Sequence, residues 1–109
     1  MPQSCVVSGS FISKNGKPGQ GLVRFTPSRL WVVQDGITWA CLAPDVQLDA
    51  DGSFVARVTA TDTDTIPWTY YVYTPAGCYE VYTPWNDAGW SLRELIRGHR
   101  AGKSSTHRR

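Results

Sequence analysis

The sequence predicts an all-β fold, an antiparallel Greek-key β-sandwich, followed by one short helix and a flexible basic tail at the C-terminus. Residues that favour turns recur roughly every eight to twelve positions through most of the chain. The runs between them alternate in polarity or are rich in Val, Thr, Trp and Tyr, which suits half-buried strands. The pattern changes after Pro84, where apolar residues take up helical spacing.

The composition indicates one soluble, non-secreted domain. With 109 residues, of which 41% are hydrophobic and 18% charged, the chain can bury one core without disulfides or a metal. No apolar run is longer than five residues, which is far shorter than the roughly 20 residues of a membrane span. The first residues lack the charged and apolar regions of a signal peptide. The cysteines Cys5, Cys41 and Cys78 are too widely separated for a zinc site, so we expect free, mostly buried thiols.

The first two predicted strands are joined by a segment rich in glycine and proline. The first strand covers Cys5–Ser13 and the second covers Leu22–Thr26. Asn15-Gly16 between them tolerates the positive φ angles of a tight turn. Pro18 follows, and proline cannot donate to a sheet ladder. The inward face of the first strand is predicted to consist of Cys5, Val7 and Phe11.

The next four strands are predicted to form two hairpins. Asp35-Gly36 joins residues 30–34 to residues 37–42, and Ile37, Trp39 and Cys41 would share one face of that hairpin. Asp51-Gly52 joins residues 45–49 to Ser53–Thr59. Phe54, Ala56 and Val58 fall on alternate positions of the last of these strands, so they would point inward.

A last hairpin carries aromatic side chains on both faces. Trp68–Tyr73 would pair with Cys78–Thr83 about the turn at residues 75–77. Trp68, Tyr70 and Val72 fall on one face by alternation, and the opposite face could form a contact surface for a partner. The aromatic residues of this possible surface are Tyr71, Tyr73 and Tyr82, together with Trp85 in the segment that follows.

After the predicted sandwich, residues 1–90, we expect a short helix at residues 91–98 and a flexible tail at residues 99–109. Ser91 and Glu94 have the spacing of a capping box, which starts a helix. The apolar stripe of the helix must dock either on the sandwich or on another subunit, because so short a helix is marginal alone. This stripe consists of Leu92, Leu95 and Ile96.

Charge is divided unequally along the chain. Residues 93–109 hold six basic residues against one acidic residue, a net +5, and the preceding residues hold five basic against eight acidic, a net −3. A basic tail with almost nothing apolar to bury is expected to order only on contact with a partner. The candidate partner-binding cations are Arg93, Arg97, Arg100, Lys103, Arg108 and Arg109.

The sequence indicates a non-enzymatic protein that needs no cofactor and no metal. The histidines, His99 and His107, fall in the predicted helix end and tail, where no scaffold would hold a general base in place. No phosphate-cradling glycine motif occurs. The aspartates of the turns are explained by side-chain bonds to nearby backbone amides rather than by calcium binding.

The order of the motifs resembles two known families. Residues 7–10 (Val-Ser-Gly-Ser), 15–21 (Asn-Gly-Lys-Pro-Gly-Gln-Gly) and 22–27 resemble the opening of transthyretin-like sandwiches, where a Gly-x-Pro-x-x-Gly turn leads into an apolar strand. The Asp49-to-Phe54 hairpin, the Thr61-Asp62 loop, the strand at residues 67–72 and the element at residues 91–95 are similar to small β-domains in minor tail and tail-fibre proteins of tailed bacteriophages, particularly those that infect actinobacteria.

The resemblance covers roughly residues 5–96 and implies a transthyretin- or immunoglobulin-like sandwich that acts in a virion. We therefore expect a minor tail, connector-associated or decoration subunit that docks on other virion proteins through its helix and tail. It would form a homo-oligomer within a symmetric assembly and lie in the virion, or in the host cytoplasm during assembly. The alternative is a host-surface glycan-binding module that uses the exposed aromatics. Binding to nucleic acid through the tail is the third and least favoured hypothesis, and no membrane contact is expected.

Overall fold

The computed structural model describes residues 2–64 and 66–97, and these residues form a mostly β structure with three sheets and one short C-terminal helix. This confirms the predicted all-β class and is compatible with a sandwich. The strands are β1 (Ser4–Ser10), β2 (Leu22–Pro27), β3 (Trp31–Gln34), β4 (Ile37–Ala40), β5 (Asp45–Gln47), β6 (Ser53–Thr59), β7 (Tyr70–Thr74), β8 (Gly77–Val81) and β9 (Trp90–Ser91). The helix, α1, covers residues 92–97.

Two of the sheets share the hydrophobic core. The three-stranded sheet has the order β6-β1-β9, and the four-stranded sheet has the order β5-β2-β7-β8. The ring centroids of Phe54 in the first sheet and Phe25 in the second sheet are 6.2 Å apart. Phe25 in turn meets Tyr70 edge to face at 6.1 Å. The inward positions of both sheets alternate with exposed ones, as the sequence predicted for Phe54, Ala56 and Val58.

The predicted hairpin between β5 and β6 is wrong, because these strands belong to different sheets. β5 pairs with β2, whereas β6 pairs with β1 along its whole length. The turn itself forms, since the Asp49 N–H donates to the Ser53 carbonyl and the Gly52 N–H donates to the Asp49 carbonyl. The chain therefore crosses from one sheet to the other at Asp51-Gly52. Turn chemistry fixes the reversal of the chain but not which neighbour the next strand takes.

The first strand ends three residues earlier than predicted. β1 stops at Ser10, and the Phe11 N–H then donates to the carbonyl of Gly52. Phe11 also accepts a bond from the Gly19 N–H, so the segment folds back over the Gly52 turn. On its other side β1 pairs in parallel with β9, in the register Val7↔Trp90. That parallel pair corrects the expectation of a purely antiparallel structure.

The two remaining hairpins are confirmed with shifted ends. β3 and β4 pair antiparallel around Asp35 and Gly36, whose φ angles of 55° and 74° are those of a tight two-residue turn. Of the residues predicted to share its inward face, Trp39 and Cys41 pack on the core, but Ile37 at the tip is exposed. β7 and β8 pair from Tyr70↔Val81 to Thr74↔Gly77.

The capping box at the helix start forms as predicted. The Ser91 N–H donates to the Glu94 carboxylate at 3.0 Å, and the Glu94 N–H donates to the Ser91 hydroxyl oxygen at 3.2 Å. These bonds lower the pKa of the Glu94 carboxyl from its usual value. Trp90, before the cap, donates its indole N–H to the Pro84 carbonyl at 2.9 Å and packs on the core. Residues 98–109, and with them the predicted flexible tail, lie outside the described part of the chain.

Candidate functional site

Three tyrosines project from the outer face of the four-stranded sheet, and we call them the tyrosine face. Tyr71 and Tyr73 alternate with the buried Tyr70 and Val72 of β7. Tyr82 follows β8 with the same parity, two residues after Glu80. The exposed fractions are 38% for Tyr71, 48% for Tyr73 and 46% for Tyr82. The structure thus brings together three of the four aromatics predicted as a contact surface.

Polar groups flank the tyrosine face on the neighbouring strands. Arg24 of β2 lies opposite Tyr73 in the sheet register, and its Nε lies 3.0 Å from the Asp45 carboxylate. On the other side, the Thr69 hydroxyl donates to the Glu80 carboxylate at 2.9 Å. A shallow groove of about 560 Å³ runs between Arg24, Tyr73 and the segment before β2. Ring faces beside hydrogen-bonding groups can contact either a sugar or a protein surface.

Trp85, the fourth predicted aromatic, belongs to a different part of the structure. Its backbone N–H donates to the Asp62 carboxylate at 3.2 Å, which ties the segment after β8 to the loop before β7. The ring is exposed, and the backbone bonds to that loop and not to the sheet. Trp85 is thus tied to the loop, whereas Tyr71 and Tyr73 share a sheet face.

The β3–β4 hairpin, here called the arm, carries exposed apolar side chains that sequence reasoning did not select. Exposure is 56% for Trp31 and 50% for Val33, and Leu30, just before the hairpin, is 70% exposed. Between them Val32 is fully buried, so the arm contacts the core by one face and presents the other. A usable signal was present, because residues 30–33 form an uninterrupted run of four apolar side chains. Alternation places Trp31 and Val33 together but does not say which face is covered.

An acidic side chain anchors the arm. The Asp64 carboxylate lies 3.1 Å from Nη1 of Arg29, just before the arm, and accepts a bond from the Val33 N–H at 3.3 Å. The Cys41 N–H donates to the Leu30 carbonyl and closes the two ends of the arm. The position of the exposed apolar side chains is thus fixed by polar contacts with the loop before β7.

The helix uses its apolar stripe within the domain. Leu92 and Leu95 are 4% and 5% exposed and belong to the core. Of the two predicted possibilities, the stripe therefore docks on the sandwich and not on another subunit. Because both side chains are enclosed in the core, they are not available to a partner, and this corrects the prediction that Leu92 and Leu95 bind one.

The exposed residues of the helix lie along a groove. Ile96 is half-buried, and Arg93 and Arg97 are exposed along this groove, which also includes Phe11. The candidate cations Arg100, Lys103, Arg108 and Arg109 lie outside the described residues.

The thiols differ in their surroundings. Cys5 is buried, Cys41 is half-buried and Cys78 is exposed on the edge strand β8, and all three are unpaired. Burial raises the pKa of the Cys5 and Cys41 thiols, which keeps them protonated at neutral pH. Within residues 2–64 and 66–97, no group of three or more His, Cys, Asp or Glu side chains is placed to hold a metal ion.

Comparison with known proteins adds no family to this description. A scan against protein-family models and a search of curated proteins both give no match. Among the described residues, no helix is both long and apolar enough to cross a membrane.

Proposed function

We propose that the protein is a non-enzymatic structural subunit of a tailed-phage virion, as a minor tail, connector-associated or decoration protein. The order of motifs that resembles phage tail domains supports the virion context. The observation that carries the assembly role is the apolar outer face of the arm, formed by Trp31 and Val33. Contiguous exposed apolar side chains of this kind mark protein–protein contact sites.

The arm has the properties of an anchor for another virion protein. Trp31 is a large ring on a two-stranded element, and tryptophan is enriched among residues that dominate binding energy. The Asp64 contacts hold the arm in place before binding, so less conformational entropy is lost when a partner docks. Burial of the arm against a partner would remove its apolar surface from water.

The helix and tail make a second, electrostatic contribution in this proposal. Arg93 and Arg97 line the groove beside Phe11, and the further cations of the tail extend the same end of the chain. They would contact acidic surfaces of neighbouring virion proteins, including the mildly acidic body of another copy. Leu92 and Leu95 support this contact by fixing the helix to the core, not by touching the partner.

We further propose a Greek-key connection of the transthyretin or immunoglobulin kind. It is supported by the chain alternating between sheets, because β1 and β6 are neighbours in one sheet while β2 and β7 are neighbours in the other. In a Greek key a strand returns through a long connection to lie beside an earlier one. Determination of the strand order by long-range nuclear Overhauser contacts in solution tests this topology.

The assembly role is tested by incorporation into particles. Replacement of Trp31 and Val33 by serine removes the apolar outer face of the arm but keeps the buried Val32. We expect the occupancy of this variant in purified particles to fall about tenfold or more, whereas the matched control, Tyr71→Ser with Tyr73→Ser, keeps normal occupancy. Normal occupancy of the arm variant contradicts docking through the arm. Absence of the wild-type protein from particles contradicts the virion role itself.

The contribution of the tail is tested by truncation after Gly98. We expect the truncated protein to bind its virion partner more weakly, with the loss largest at low salt, because contacts between exposed charges are screened by ions. Arg93→Gln with Arg97→Gln tests the helix groove in the same assay. Full incorporation of both variants at low and physiological salt rejects an attachment role for the basic end.

A second candidate function is binding of a host-surface glycan by the tyrosine face. Tyr71 and Tyr73 stand side by side with hydrogen-bonding groups of Arg24 and Glu80 on adjacent strands. We expect Tyr73→Ala to weaken retention on host envelope fractions without lowering the unfolding temperature, while Trp31→Ser leaves retention unchanged. Trp85→Ala shows whether the separate exposed tryptophan takes part. Failure of the wild-type protein to be retained on any envelope fraction excludes this function.

A further inference from the structure

The outer edge of β6 carries backbone groups that the described residues leave unpaired. β6 is the terminal strand of the sheet β6-β1-β9. Just beyond its ends, the Ala60 N–H donates to the Gln3 carbonyl and the Phe11 N–H donates to the Gly52 carbonyl. In an antiparallel ladder, hydrogen-bonded pairs recur at every second residue. Every even-numbered residue from Gly52 to Ala60 therefore bonds toward β1, and the odd-numbered residues of β6 point their backbone groups away from it.

The odd-numbered residues at the two ends of β6 have partners within the chain. Ser53 receives a bond from the Asp49 N–H and donates its own N–H to the Asp51 carboxylate. The Thr59 N–H donates to the hydroxyl of Tyr70 at 3.0 Å, and the Thr59 carbonyl accepts from the hydroxyl of Thr83. Both ends of the edge are thus closed by side chains and turns.

The centre of the edge is open. No group in the described part of the chain bonds the outward N–H and C=O of Val55 or of Arg57, which leaves two donors and two acceptors in a row. The Val55 side chain is 65% exposed. Folded proteins usually protect such an edge with charges, proline or a bulge, because it is a template for another strand. Here Arg57 is the one charged residue in the strand.

We propose that this edge pairs with the same edge of a second copy, antiparallel and about a two-fold axis at Ala56. In this register Val55 of each copy lies opposite Arg57 of the other. Each of these two opposed pairs exchanges two N–H···O=C bonds, so the four bonds use all the open groups of both chains. The Ala56 side chain points into the core, 4% exposed, so nothing protrudes at the axis. The aliphatic stem of Arg57 covers the exposed Val55 of the other chain.

Charge and hydrogen bonding favour this register over its neighbours. A shift that places Val55 opposite itself sets Arg57 against Ser53, whose backbone groups are already bonded within the turn. A shift in the other direction sets Arg57 directly opposite itself, and like charges in that position repel. The register centred on Ala56 avoids both penalties. The pairing would join two three-stranded sheets into one of six strands and closes on itself, as a two-fold contact must.

This pairing deepens the assembly role proposed above and rests on it only for its biological setting. It uses the β6 edge, whereas the proposed docking on other virion proteins uses the arm and the basic end. A protein that is monomeric yet enters particles through its arm would reject the pairing alone. A dimer that never enters particles would reject the virion role alone.

The first test measures the mass of the full chain in solution across a concentration series. We expect the wild type to be a dimer and Val55→Pro to shift the dimer dissociation constant upward about tenfold or more, because proline removes an outward N–H without removing a bond to β1. Val55→Thr keeps that N–H and serves as the matched control, which should remain dimeric. Unfolding temperatures report whether each variant is folded. A monomeric wild type, or a folded Val55→Pro that dimerises normally, overturns the proposal.

The second test fixes the register and does not depend on Val55→Pro folding. In a Cys78→Ser background, the double variant Val55→Cys with Arg57→Cys places cysteines opposite each other at a Cα separation of about 5.5 Å, within the range of a disulfide. We expect rapid oxidation to a covalent dimer. Each single variant places its two cysteines a diagonal step apart, beyond about 7 Å, and should cross-link far more slowly. Equally fast linking of a single variant, or none by the double variant, overturns the register.

Discussion

The two hairpins of this protein share a local design and differ in what covers them. β3–β4 and β7–β8 each reverse through two residues, Asp35-Gly36 and Pro75-Ala76, and each alternates large side chains. In β7–β8 the inward residues Tyr70, Val72 and Val81 are fully buried. In the arm only Val32 reaches that state.

The difference follows from sheet membership. β7 lies between β2 and β8, so both its edges and its inner face have partners, whereas within residues 2–64 and 66–97 β3 and β4 pair only with each other. A two-stranded hairpin has little independent stability in water. The arm is therefore held by its buried Val32 and by Asp64, and its other face remains available. Alternation defines two faces, and the tertiary neighbours decide which of them functions as core.

The largest expected effect is the loss of the Tyr70 hydroxyl. Tyr70→Phe leaves the buried Thr59 N–H without its acceptor and the Leu42 carbonyl without its 2.7 Å bond. We expect the free energy of unfolding to fall by about 3 kcal/mol, measured by urea denaturation. Tyr73→Phe on the outer face is the control, with a change within about 0.5 kcal/mol. Equal effects at both positions would mean that the inner face of β7 is no more enclosed than its outer face.

Alkaline pH probes the same enclosure without a substitution. Burial raises the pKa of Tyr70 from 10.0 to about 12. Above pH 10 the unfolded chain releases this proton while the folded protein keeps it, so stability falls as pH rises from about 10 to about 12. Two pKa units correspond to roughly 2 to 3 kcal/mol. Comparison of unfolding free energies of the wild type and Tyr70→Phe over this range isolates the effect, and parallel pH curves would contradict it.

Sequence reasoning reached the local elements of both hairpins because turn residues and alternation act over a few positions. Asp35-Gly36 identified one turn, and Ser91 with Glu94 identified the helix start. The alternation around Tyr70 likewise placed Tyr71 and Tyr73 on an outward face. These features depend on residues close in sequence, and the structure confirms them.

The remaining features depend on long-range contacts. β5 and β6 belong to different sheets because β5 pairs with β2 and β6 pairs with β1, and both partners are distant in sequence. The exposure of Trp31 reflects the absence of a neighbouring sheet over the arm among the described residues, which no local pattern encodes. In the same way, the spacing of Leu92 and Leu95 predicted that they are buried but did not indicate which surface covers them.

A smaller effect is expected at the turn of the arm. Gly36 has a φ of 74°, and an alanine there costs about 1 kcal/mol of conformational energy. We expect Gly36→Ala to raise the hydrogen-exchange rate of the arm amides while the global free energy of unfolding changes little, because the arm can open while the sandwich stays folded. Gly36→Asn tolerates this φ better and serves as the control. Unchanged exchange in Gly36→Ala would show that the turn is not formed in solution.

The smallest global effect is expected from the anchor of the arm. Asp64→Ala removes both the 3.1 Å contact with Arg29 and the acceptor of the Val33 N–H, yet partly exposed ion pairs contribute only about 1 kcal/mol or less. Asp62→Ala is the matched control, because Asp62 anchors the Trp85 backbone in the same loop. Exchange of the arm amides should rise about tenfold in Asp64→Ala and not in Asp62→Ala, with similar unfolding temperatures. Equal exchange rates in both variants would mean that Val32 alone fixes the arm. The arm would then be positioned by core packing, as β7–β8 is.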